Sequence, residues 1–117
     1  MMKYHDFSVG HSGVDEAIDN YLMYGFEPGS FTKALLANDL FRAAASADHW
    51  NKENLATVAS AVYMWMPSKT YGSYEIVNDW LADKDGRRTE YSKRQEKLYM
   101  LKVIKGDVKK EVPDYPF

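Results

Sequence analysis

Phe31 to Ala47 reads FTKALLANDLFRAAASA. At about 100° of rotation per helical residue, Leu36, Leu40, Ala43, Ala44 and Ala47 gather on one side. Phe31, Ala34, Phe41 and Ala45 gather on the opposite side, and only a strip of Asn38, Asp39, Arg42 and Ser46 is polar. A helix that is apolar nearly all round is covered by its neighbours, and alanines let those neighbours come close. The stretch predicts a central helix over 31–47. With it comes an all-α fold, a compact bundle of four to five short helices around that helix.

Working outward toward the N-terminus, Glu27-Pro28-Gly29-Ser30 reads as a turn, with Ser30 capping the central helix. Before it, Ser12 is placed as an N-cap, and Asp15 and Glu16 sit in the first turn, where the helix dipole favours acids. Val14, Ile18, Tyr21 and Leu22 share one face of that helix, and Met23 points off it. Gly25 is placed to end it in the left-handed conformation, with Phe26 folding back. Residues 1–11 show no period and read as an extended lead.

Toward the C-terminus, Asp48-His49-Trp50-Asn51 reads as a connection, with Asn51 as the next cap. A helix follows that puts Leu55, Val58, Ala59, Val62, Trp65 and Met66 on one face. Pro67 ends it, because proline disfavours helical geometry in the residue before it. After a loop over 67–72, Ser73 caps a short helix carrying Ile76, Val77, Trp80 and Leu81. Asp85-Gly86 opens a break. Beyond it, Ser92 with Gln95 resembles a capping box and favours a helix ending at Gly106. The alternative is a hairpin turning at Lys105-Gly106-Asp107 onto 108–112.

The 117 residues make one domain, long enough to bury roughly two-thirds of the unfolded surface. Within it, 12–83 reads as the helical core and 84–117 as a basic C-terminal extension. The absence of cysteine removes disulfides, thiolate metal sites and cysteine nucleophiles. The N-terminus lacks the apolar run of a signal peptide, and no apolar stretch is long enough to span a membrane. The expectation is a cytoplasmic protein. Net charge is −2 but unevenly placed: residues 1–83 carry −6 and residues 84–117 carry +4. An acidic body with a basic tail admits a nucleic-acid arm, but six acids among the ten bases of that tail favour a solvated helix of mixed charge.

No catalytic residue set is legible. A G-x-S-x-G elbow, a Walker A loop and a G-x-G-x-x-G fingerprint are all missing. His5, Asp6 and His11 lie close in sequence but not at helical ligand spacing, so no metal site and no cofactor are expected. The candidate ligand-binding residues are Gly29 and Ser30, which open a helix N-terminus, and Asn38, Asp39 and Arg42 on the polar strip. Together they would suit a small anionic ligand such as a nucleotide. Most aromatics, among them Tyr21, Phe31, Tyr63, Trp65, Tyr71, Tyr74 and Trp80, fall on apolar faces and read as core. Met23, Tyr24, Met64, Tyr115 and Phe117 are harder to bury and are the candidate partner interface, for another protein or a second copy.

From Gly25 to Leu81 three ordered motifs stand out. They are Gly25-Phe26-Glu27-Pro28-Gly29-Ser30-Phe31, then Ala34-Leu35-Leu36-Ala37-Asn38-Asp39-Leu40, then Tyr71-Gly72-Ser73-Tyr74-Glu75-Ile76-Val77-Asn78-Asp79-Trp80. In these motifs, and in Ala47-Asp48, the chain resembles a family of short proteins of tailed bacteriophages and prophages. Tyr71 stands where that pattern usually has tryptophan. The resemblance covers about half the chain and leaves out 1–12 and 84–117. It implies a viral origin and a host cytoplasm but no mechanism, since the family has no established activity. It also suggests that Asn38 and Asp39 tie the central helix to the Pro28-Gly29 or the Gly72-Ser73 loop. The function expected is non-enzymatic: a phage accessory protein that binds a host macromolecule to inhibit or modulate it.

Overall fold

In the computed structural model, which describes residues 8–105, the chain forms seven α-helices and, among the described residues, no strand. They are α1 (Ser12–Tyr24), α2 (Ser30–Leu36), α3 (Leu40–Ser46), α4 (His49–Glu53), α5 (Leu55–Trp65), α6 (Tyr74–Leu81) and α7 (Arg87–Ile104). Short 3₁₀ turns lie at Ser68–Thr70 and Lys84–Gly86. The all-α class stands, with a different centre from the one the sequence predicts.

That centre is α1. Val14, Ile18, Asp19, Tyr21, Leu22 and Met23 are all buried, more than any other helix contributes. Met23, expected at a partner surface, is 2% exposed. α1 packs against both α2 and α7, so a wider arc of it is covered than a single apolar face would account for. Its N-cap is His11, one residue before Ser12: the imidazole Nδ1 accepts from the Val14 N–H at 3.2 Å, and the ring lies 4.7 Å from that of Trp50. Residues 8–11 are held close by Asp15, which accepts from the Val9 N–H at 2.9 Å and the Ser8 hydroxyl at 2.5 Å.

Gly25 ends α1 as expected, at φ 67°, and its N–H donates to the Tyr21 carbonyl at 3.2 Å. Phe26 folds back as a ring partner of Tyr24, 5.7 Å away. A Cβ at Gly25 would meet both a left-handed backbone and the Arg88 guanidinium, whose Cζ and Nε lie 2.5 Å from its position. That guanidinium is itself held by the Trp80 carbonyl at 3.2 Å. Gly25→Ala is therefore expected to cost about 1–2 kcal/mol in denaturant unfolding. Most of the part due to Arg88 should disappear when Arg88→Ala is made alongside it.

The long central helix is absent. α2 stops at Leu36 and α3 starts at Leu40, with Asn38 at φ 61° between them. The Asn38 N–H donates to the Leu35 carbonyl at 3.1 Å and the Asp39 N–H to the Ala34 carbonyl at 2.9 Å, the paired bonds of a Schellman end. Asparagine tolerates the left-handed position, and Asp39 then caps α3 by accepting from the Arg42 N–H at 3.3 Å. Two low-propensity residues with local hydrogen-bonding side chains outweigh the apolar period that runs through them. Phe31, Ala34, Leu36, Ala37, Ala43 and Ala47 remain buried, while Leu40, Phe41, Ala44 and Ala45 turn outward.

Gly29, not Ser30, is the N-cap of α2, and no side chain caps that end. Asn51 lies inside α4, and Asp48 caps that helix by accepting the Asn51 N–H at 2.8 Å. α5 ends before Pro67 as expected. Val58, Ala61, Val62 and Met66 are buried, whereas Ala59 and Trp65 are exposed. Ser73 caps α6 through the Ile76 N–H at 3.1 Å. The segment over 87–104 is a helix and not a hairpin, and it starts at Arg87, well before Ser92. Asp83 prepares that start. Its carboxylate accepts from the Thr89 N–H at 2.9 Å and from the Thr89 hydroxyl, and these bonds hold its pKa below the usual carboxylate value. α7 packs on α1 and α6 through Tyr91. The alternative hairpin strand over 108–112 lies outside the described residues.

Candidate functional site

The break between α2 and α3 does more than turn the chain. The carbonyl of Leu36, at the end of α2, accepts from the Gly72 N–H at 2.7 Å. Two residues on, the Tyr74 hydroxyl donates to Asp39 Oδ2 at 2.8 Å, which raises the Tyr74 pKa by stabilising the protonated phenol. The other Asp39 oxygen caps α3, and Arg42 Nε lies 3.5 Å from Oδ2. The Asn38-Asp39 and Gly72-Ser73 motifs therefore meet in space, with Asp39 joining the two segments.

Beside this junction is an open groove of about 510 Å³, walled by Leu35 and Leu36 of α2, Leu40 of α3, and Leu55, Ala59 and Val62 of α5. Asp39 is its one charged lining residue, and both of its oxygens are already engaged. The groove is suited to taking in apolar side chains. Leu40 and Tyr63 of its lining are exposed, as are Phe41 of α3 and Met64 and Trp65 of α5 elsewhere on those helices.

The candidate ligand set does not converge. Gly29 and Ser30 begin α2, whereas Asn38 and Asp39 lie beyond its far end, about 10 Å along the axis for a helix of this length. Arg42 is mostly exposed on α3. Of the candidate interface residues, Met64 is exposed as expected and Tyr24 is half-buried against the core. Met23 is buried, and Tyr115 and Phe117 lie outside the described residues. Tyr21, Phe31 and Trp80 are core as expected, while Tyr63 and Trp65, expected there too, stand exposed. The signal for them was in the sequence: Tyr63-Met64-Trp65 are consecutive and span about 200° of a helix, so one face cannot bury all three.

His11 is occupied as a cap, and His5 and Asp6 lie outside the described residues. Among the described residues, no group of three or more His, Asp or Glu could hold a metal ion. No described helix is long and apolar enough to cross a membrane. Of the bases in the C-terminal segment, Lys84 pairs with Asp79, Arg87 with Asp85, and Arg88 binds the Trp80 carbonyl. Comparisons with protein-family models, curated proteins and solved structures find no match for this chain.

Proposed function

We propose that this protein is a non-enzymatic bacteriophage accessory protein that docks on a host protein in the host cytoplasm through the surface around the α3–α5 groove. The observation that carries the reading is the apolar groove lined by exposed Leu40 and Tyr63, together with the exposure of Phe41, Met64 and Trp65 on the same two helices. Aromatic and methionine side chains are enriched at the centres of protein interfaces and are costly to leave in water on a free monomer. The viral origin rests on the resemblance carried by residues 25–81. A small anionic ligand is less well supported, since its intended contacts lie at opposite ends of α2. The engagement of Lys84, Arg87 and Arg88 within the fold weakens the case for a nucleic-acid arm.

The test is affinity capture from bacterial lysate with the tagged full chain, run in parallel with Leu40→Asp and Tyr63→Asp. Both residues are exposed, so the variants should keep the helical circular dichroism of the parent. One host protein retained in stoichiometric amount by the parent should fall at least about tenfold with either variant, the loss expected of a hot-spot contact. Equal recovery by all three proteins would move the interface elsewhere.

A further inference from the structure

We infer that the outward face at the C-terminal end of α7 rests on an anionic lipid surface, as a peripheral contact that does not cross the bilayer. α7 contributes no wall to the α3–α5 groove, so this face is separate from the surface of the proposed function. Tyr91 is buried and Tyr99 packs against the core, and these two mark the inward side of the helix. Away from them, Leu98 is 47% exposed, Met100 50%, Leu101 42% and Ile104 76%. Residues three or four apart are neighbours on a helical surface. Leu98 therefore adjoins Leu101, Leu101 adjoins Ile104, and Met100 adjoins Ile104. The four make one apolar strip over the last two turns, spanning about 160° of the helix.

Positive charge borders the strip. The exposed charged residues of α7 and its C-cap are Lys93, Arg94, Lys97 and Lys105, with Glu90 the single acid. Arg94 lies one turn before Leu98, Lys97 one turn before Leu101, and Lys105 follows Ile104. Lys93, Lys97 and Lys105 enter none of the ion pairs among the described residues. Aliphatic side chains edged by bases are the pattern of a helix lying in the plane of an anionic membrane. The bases meet the headgroups while the aliphatic groups reach the acyl boundary. The rest of the chain sets the same orientation. Residues 1–83 carry −6 and residues 84–117 carry +4, so a negative surface repels the body and draws α7 toward it.

Other occupants fit this face less well. A second copy laid strip to strip would set the four exposed bases against their own duplicates. A nucleic acid offers phosphates to those bases but no apolar layer to Leu98, Leu101 and Ile104. An acidic protein that wraps an amphipathic helix in a groove needs most of its circumference, and Tyr91 and Tyr99 hold one side of α7 to the body. A plane needs only the outward side. The strip is also aliphatic throughout, without the Trp or Tyr that dominates protein hot spots, which suits acyl chains.

Flotation of the purified full chain with lipid vesicles tests this, using phosphatidylcholine alone and phosphatidylcholine with about one-third phosphatidylglycerol. In about 0.1 M salt the chain should float with the anionic vesicles only, and its binding should decline as salt is raised to about 0.5 M. Each base near the surface contributes roughly fivefold to partitioning, so Lys93→Gln with Lys97→Gln should lower it about 25-fold. Leu101→Asp and Ile104→Asp should each lower it at least about tenfold. All four positions are exposed, so the variants should keep the helical circular dichroism of the parent. Binding that ignores both Leu101→Asp and Ile104→Asp overturns the inference, since charge alone would then hold the chain. Equal binding to the two vesicle sets overturns it as well. So does no binding at about 1 mM lipid, roughly ten times the level that half-binds a single myristoyl anchor. The strip would then belong to a protein surface, whether a partner's or that of residues 106–117. The vesicles contain no protein, and the variants leave the α3–α5 groove intact. A chain that floats but captures no host protein through Leu40 and Tyr63 keeps this inference and loses the proposed function, and the converse result does the opposite.

Discussion

Trp80→Ala is expected to cost about 3–5 kcal/mol of folding stability, a large fraction of what a domain of this size has. Trp80 is 3% exposed on α6 and stands where α6, α1 and α7 meet. Its indole N–H donates to the Tyr21 carbonyl at 3.1 Å. Its ring lies 5.6 Å from that of Tyr91 in an edge-on contact and 6.5 Å from that of Tyr21. Its own carbonyl accepts from Arg88. Truncation removes the largest side chain of this junction, opens a cavity between three helices and leaves the Tyr21 carbonyl without that donor. Trp80→Phe keeps most of the packing and should cost only about 1–2 kcal/mol. Denaturant unfolding followed by circular dichroism measures both. A loss under about 1 kcal/mol for the alanine variant would mean that α1, α6 and α7 are held by something else.

The parts of the fold legible in the sequence are those where one residue type decides one piece of geometry. Gly25 in a left-handed stop, Pro67 after α5 and Ser73 over the Ile76 N–H are such cases. Each acts within a few residues, so reading along the chain suffices. The break at Asn38-Asp39 is equally local, and its signal was present: an asparagine able to take positive φ, followed by an aspartate three residues before the Arg42 N–H it caps. It was hidden by alanine. Ala43, Ala44, Ala45 and Ala47 extend an apolar period on whichever face is considered, although alanine gains little from burial, so the period counted residues that carried little weight.

The centre of the fold was not legible for a different reason. α1 is central because α2 and α7 cover it on different sides, and that depends on contacts from far along the chain. Tyr21 reaches the Thr70 carbonyl 49 residues away, and Trp80 reaches the Tyr21 carbonyl 59 residues away. No periodicity in α1 announces these partners, so Met23 could only be judged against one apolar face. The candidate site follows the same division. The pairing of the Asn38-Asp39 motif with the Gly72-Ser73 motif was an expectation of the resemblance, and the Asp39–Tyr74 and Leu36–Gly72 hydrogen bonds supply a physical form for it. The groove beside it exists because α3 swings away at the break. A reading that kept 31–47 as one helix necessarily placed Leu40 and Phe41 inside.

Alkaline pH should unfold this protein through two tyrosines. Burial pushes the Tyr91 phenol up to about 12, with the charge of Asp19 adding to the shift and Arg94 opposing it. Burial raises Tyr21 still further, and its hydroxyl is committed as donor to the Thr70 carbonyl at 2.8 Å. Ionising it would place two acceptors face to face inside the core. In both cases the folded pKa lies above the unfolded value near 10, so the native state holds its proton more tightly than the unfolded chain. The contribution is then intact below about pH 10 and is lost as pH climbs toward the folded values. Each tyrosine lowers stability by up to roughly 1.4 kcal/mol per pH unit in that window, about 2–3 kcal/mol per unit for the pair. Denaturant midpoints measured at pH 8, 10 and 11 should be similar for the first two and fall sharply at the third. Tyr21→Phe should be less stable at pH 8, by about 1–3 kcal/mol for the unpaired Thr70 carbonyl, yet show close to half the slope above pH 10. A parent midpoint that stays level to pH 11 would show that neither phenol is shielded as its burial requires.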